Sequence, residues 1–127
     1  MIIHDNGVFL LKNQAFSYLF RVGKYGELQH LHFGTPVAIT DAEALAPIPG
    51  PGWGSNILLE DSDPNSCLDY IPLEWSGSGR GDYRESPMTL NGVSAAPRYH
   101  SCEIVDGIIP METGLPQARG GTQTLCI

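Results

Sequence analysis

No stretch of this chain approaches the roughly 20 consecutive apolar residues that a membrane-crossing helix needs. Positive charge is scarce, with seven lysines and arginines against 14 aspartates and glutamates and a net charge of −7. That balance argues against nucleic acid or an anionic membrane as partner, because both attract a basic face. Cysteine is sparse too: Cys67, Cys102 and Cys126 are odd in number, widely spaced and without a Cys-x-x-Cys. Neither a disulfide framework nor a zinc site is indicated. The glycines fit neither the dinucleotide fingerprint nor the P-loop, and there is no Gly-x-Ser-x-Gly elbow and no cysteine and histidine pairing with a recognisable local signature, so nucleophilic catalysis has no support. Met1-Ile2-Ile3-His4-Asp5 lacks the basic region and apolar run of a secretory signal, which makes a cytoplasmic protein with reduced thiols the expectation.

Glycine and proline are plentiful instead, 15 and 10 of the 127 residues. They favour many short strands joined by turns over helices, and the length fits one domain able to bury a core. Val8 to Leu11 is a short apolar run, and Ser17 to Val22 reads as a strand before the turn Gly23-Lys24-Tyr25-Gly26. Leu28 to Phe33 alternates and completes a hairpin, with Gln29, Leu31 and Phe33 expected on one face and His30 and His32 on the other. Ala42 to Ala46 suits one helical turn, which Pro47-Ile48-Pro49-Gly50-Pro51-Gly52 must end. Further strands are expected at Met88 to Leu90, Tyr99 to Val105 and Thr122 to Ile127, with a turn at Asp106-Gly107 and the start of a return strand at Ile108-Ile109.

The middle third is mostly loop, and loops carry most binding residues on β scaffolds. Glu74-Trp75 leads into Gly77, Gly79 and Gly81, interleaved with Arg80, Asp82, Tyr83 and Arg84. The i, i+2 spacing of Arg80, Asp82 and Arg84 would place all three on one face of a strand, as a docking surface requires. Glycoside hydrolysis needs two carboxyl groups roughly 5 to 5.5 Å apart for retention and wider for inversion, and Glu74 with Asp82 is the one loop pair to consider. The structural reading is preferred: Asp82 between two arginines is held ionised and pins the loop, while Glu74 accepts backbone or arginine hydrogen bonds. His30 and His32 have the spacing of a metal pair but lack a marked third ligand, so no metal is assigned. Trp53 and Trp75 are flat side chains suited to stacking on a sugar ring, with burial preferred for Trp75. Arg80-Gly81-Asp82 also spells the integrin tripeptide, a match too short to carry meaning.

Several of these segments, taken in order, resemble the N-terminal domain of family 36 glycoside hydrolases, the microbial and fungal α-galactosidases. Ser17-Tyr18-Leu19-Phe20-Arg21-Val22, Gly26-Glu27-Leu28 and His32-Phe33-Gly34 resemble the opening of that domain. Leu73-Glu74-Trp75 with Gly79-Arg80-Gly81-Asp82-Tyr83-Arg84 resembles its central loop, and Tyr99-His100-Ser101-Cys102-Glu103-Ile104-Val105-Asp106-Gly107, Gly114-Leu115-Pro116 and Thr124-Leu125 its continuation. Ser76 stands where the family has proline, and Ile108 where it has lysine.

The resemblance implies an all-β fold, an antiparallel β-sandwich of the supersandwich kind with long irregular loops. Residues 1–127 would form that domain or part of it, and the catalytic (β/α)8 barrel with its two aspartates would be absent. It implies a parent enzyme that hydrolyses terminal α-galactosides such as melibiose and raffinose with retention, without a cofactor, as a homo-oligomer. Glu74, Trp75, Arg80, Asp82, Tyr83 and Arg84 would dock on the barrel and a neighbouring subunit, and Trp53 and Asp69 would lie near the galactoside. Two other readings are a free-standing carbohydrate-binding β module and a truncated product without an independent role.

Overall fold

The computed structural model describes residues 1–52, 57–76, 88–111, 114 and 119–127. Its centre is an antiparallel meander of four strands in sequential order: β1 (Ile2–Asp5), β2 (Val8–Lys12), β3 (Ser17–Val22) and β4 (Leu28–Gly34). Asn6 and Gly7 join the first two with φ of 47° and 77°, the paired positive values of a tight hairpin turn whose twist matches its strands. The side chain of Asn13 accepts the backbone N–H groups of Ala15 and Phe16 at 2.7 and 2.9 Å and shapes the next connection. Two smaller antiparallel pairs follow: β5 (Thr89–Leu90) with β6 (Val93–Ser94), and β7 (Glu103–Asp106) with β8 (Gln123–Cys126). One short helix, α1 (Ala42–Leu45), follows a 3-10 turn at Ile39–Asp41. The described residues thus form an all-β, sandwich-like arrangement of antiparallel sheets without a closed barrel.

The strands expected at Val8, Ser17 and Leu28 are present, and so is the helical turn at Ala42. The expected strand over Tyr99–Val105 is formed only from Glu103. Upstream of it, Tyr99 N–H donates to Gly26 O at 2.7 Å, so this segment anchors to the β3–β4 turn before the strand begins. Ile108 and Ile109 belong to no strand; the partner of β7 is β8, with Glu103 opposite Cys126 and Asp106 opposite Gln123.

A bulge decides the two faces of the meander. Leu19 pairs with His32 and Phe20 with His30, so Leu31 is an extra residue in β4. Directly paired residues share a face, which puts His32 on the face of Leu19 and His30 on the opposite one. The expectation that His30 and His32 point the same way is therefore corrected, as is the pairing of Leu31 with Phe33. One face is aliphatic: Leu10, Leu19 and Ala42 are buried together, with Ile3, Val8, Leu31, Val37 and Ile39 packed around them beneath the helical segment. The other is aromatic. His4 stacks on Phe9 at 4.3 Å, Phe9 on Phe20 at 4.9 Å, and Tyr18 meets both His30 and Phe33.

Polar groups fix the β3–β4 turn. Glu27 is buried and its carboxylate accepts Tyr25 N–H at 2.9 Å and the Gln29 amide at 2.6 Å. Gln29 in turn accepts from Arg21 Nε at 2.8 Å, and Arg21 reaches Glu43 on α1 at 3.3 Å. A Cβ at Gly23 would overlap the Glu27 carboxylate, so glycine here makes room for a buried charge. Outside the turn, Asp63 accepts Lys24 Nζ at 3.0 Å and Tyr25 OH at 2.6 Å, and its second oxygen accepts Asn65 N–H at 3.0 Å. These contacts tie the 57–70 loop to the sheet.

Gly23→Ala is expected to destabilise the chain by about 1–3 kcal/mol, the range for forcing atoms into packed space, and urea unfolding measures it. The Tyr25 hydroxyl first, then Lys24 and the Asn65 N–H, hold the Asp63 carboxyl down at about 2, from an ordinary value of 3.8. Its stabilisation is therefore full above pH 3.8 and lost as pH falls through about 2. Thermal melts should show Asp63→Asn less stable than the parent at neutral pH, with the gap closing on acidification over that window.

Candidate functional site

The segment after the 57–70 loop adds itself to the outer edge of β4. His30 N–H donates to Pro72 O at 2.8 Å, Glu74 N–H donates to Leu28 O at 2.9 Å, and Gln29 bridges antiparallel to Leu73. This pairing delivers the Glu74 side chain onto the aromatic face. There the Tyr18 hydroxyl donates to Glu74 Oε2, and His30 Nδ1 lies 2.7 Å from Oε1. Glu74 is thus held by a tyrosine and a histidine, not by the backbone or arginine partners expected from the sequence. Burial first, then the hydrogen bond and charge of Glu74, push the Tyr18 hydroxyl above the ordinary phenol range.

Beside this cluster opens a cleft of about 600 Å³. Its walls are chiefly apolar, formed by Leu28, Leu59, Leu73 and Met88, with Trp75 and Tyr99 as aromatic members. Trp75 is 44% exposed, so it does not plug a gap under its own loop within the described residues. Arg98 is committed to structure, since one guanidinium nitrogen donates to Tyr25 O and another to Leu59 O at 3.3 Å. Glu27 is turned toward Gln29. His100 Nδ1 lies 3.3 Å from Oγ of its neighbour Ser101.

A cleft of this size with few polar groups matches the usual dimensions of a binding site. Hydrolysis of a glycoside needs two carboxyl groups facing one anomeric carbon. Among the described residues neither carboxylate near the cleft is free, because both oxygens of Glu74 and both of Glu27 have partners. No group of three or more metal-ligating side chains occurs among the described residues. Asp69 is exposed and follows directly on Leu68, a residue of the cleft wall, without lining the cleft itself. Trp53, Arg80, Asp82, Tyr83 and Arg84 lie outside the described residues. Tyr18 and His30 were not foreseen as partners of Glu74, since no local pattern connects positions 44 and 56 residues apart.

The comparisons with known proteins follow the same boundaries. α-Galactosidase 1 of Pediococcus pentosaceus is 32% identical over 116 residues, which cover 89% of this chain and 16% of that protein. The chain is homologous to α-galactosidases. A second relative, an α-galactosidase of Lactobacillus acidophilus, is 34% identical over 119 residues, 90% of this chain and again 16% of its own length. The match is to the N-terminal part of these proteins, and the chain spans about a sixth of the relatives it matches. Among solved structures, the galactosidase domain of an α-galactosidase–sucrose kinase has a TM-score of 0.76 at 26% identity, over 98% of this chain and 18% of that one. The α-galactosidase of Lactobacillus brevis shares the fold, with a TM-score of 0.70 at 23% identity over 97% of this chain and 18% of its own. No protein-family model matches the chain. No helix among the described residues is long and apolar enough to cross a membrane.

Glu74→Ala would leave the partly buried Tyr18 hydroxyl and His30 without their acceptor and should cost about 1–3 kcal/mol in urea unfolding. Because the native Tyr18 value is raised, the stability it contributes is full below its ordinary 10.0 and falls as pH rises beyond it. The variant should lose less stability than the parent on that alkaline limb.

Proposed function

We propose that this chain is the non-catalytic N-terminal β portion of a family 36 α-galactosidase, with residues 1–127 acting as one structural unit. On this reading the parent enzyme hydrolyses terminal α-galactosides of the melibiose and raffinose type in the cytoplasm. The catalytic carboxylates belong to the remaining five-sixths of such a protein. The observation that carries the reading is the match over nine-tenths of this chain to a sixth of a curated α-galactosidase.

The role assigned to the chain is docking. The Glu74 to Arg84 segment, starting from the edge of β4, meets the catalytic domain and a neighbouring subunit, and the Trp53 loop together with Asp69 lies toward the galactoside. A half-exposed Trp75 in an apolar cleft supports a protein-facing surface of this kind. The same tryptophan supports a second reading, a carbohydrate-binding module, since an exposed indole beside Tyr99 offers a stacking platform for a sugar ring.

One preparation separates the readings. Calorimetric titration of the chain with melibiose and raffinose should give no heat of binding, and a chromogenic α-galactoside should not be hydrolysed. Saturable binding that Trp75→Ala abolishes would favour the module, and turnover would overturn the non-catalytic assignment.

A further inference from the structure

One sulfur meets a group from the far end of the chain. Cys102 lies just before β7, and its Sγ is 3.4 Å from Nδ1 of His4 on β1. The exposed imidazole lies flat on Phe9, the ring planes 2° apart, and Phe9 is itself buried against Phe20 and Tyr99. The aromatic face of the meander therefore presents a ring nitrogen to a partly exposed cysteine.

An imidazole beside a thiol can take its proton and then stabilise the thiolate as a neighbouring cation, and the thiolate is the reacting form. The other two cysteines lack this environment. Cys67 is fully buried, and Cys126 has Glu103 opposite it across the β7–β8 ladder, an anion where Cys102 has an imidazole.

We propose that Cys102 is a thiol-modification site for small soluble disulfides, with His4 as its base. His4 Nδ1 accepts the S–H proton, and the Cys102 thiolate attacks one sulfur of the disulfide. A new S–S bond forms as the old one breaks, and the departing thiolate takes the proton from His4. One thiol and one disulfide become one mixed disulfide and one thiol, and no external oxidant is consumed. Tyr99, His100 and Ser101 also line the cleft, so the adduct alters the wall of the surface described above.

The test is time-resolved peptide mapping of the full chain treated with 2-hydroxyethyl disulfide, whose neutrality removes any bias from the net charge of −7. The Cys102 peptide should gain the adduct on the order of tenfold faster than the Cys126 peptide, with Cys67 unreacted. His4→Ala should remove that advantage. Protection of Cys67 reports that each variant is folded, and His4→Asn carries the same comparison if the alanine variant exposes Cys67. Equal rates at Cys102 and Cys126 in the parent, or an undiminished Cys102 rate in the folded His4 variant, would overturn the proposal.

Discussion

One extra residue in β4, Leu31, sits between the partners of Leu19 and Phe20, and each later feature of the site depends on the half-turn it introduces. Without it His30 and His32 would share a face. With it, Leu31 enters the aliphatic core while His30 points to the aromatic side, where Glu74 can reach it. Glu74 then holds the 72–74 segment against the edge of β4, and Leu73 and Trp75, its neighbours, become walls of the cleft. A bulge of this kind re-aims side chains at the cost of one ladder position.

The polar groups near the cleft are occupied with architecture. Arg98 clamps two carbonyls, Glu27 serves the β3–β4 turn from inside, and Glu74 joins two elements of the sheet face. Buried or half-buried charges of this sort are kept satisfied because leaving one unpaired costs more than the pair returns. The described walls of the cleft are left chiefly apolar, with a half-exposed indole among them.

Much of the meander was legible in the chain. The apolar run at Val8 to Leu11, the strand at Ser17 to Val22 and the glycine-bounded turn after it carry ordinary local signals, and the proline run at 47–52 correctly limits the helix to a single turn. β1 and β6 were missed although Asn6-Gly7 and Asn91-Gly92 mark their hairpins, both asparagines taking positive φ. The faces of β4 were misread because strict alternation has no means of announcing a bulge. The partners of Glu74 and of Cys102 depend on contacts across 44 to 98 residues, which no periodicity encodes.

The two faces of the meander are also separated in time. The aliphatic side finds its cover in Val37 to Ala42, almost as soon as β4 is complete. The aromatic side waits for Tyr99 and Cys102, roughly 65 residues later, which at synthesis rates of roughly 5–20 residues per second is several seconds. For that interval a nascent chain covers Phe9 and Phe20 on that face only with His4, Tyr18 and, later, the Glu74 segment.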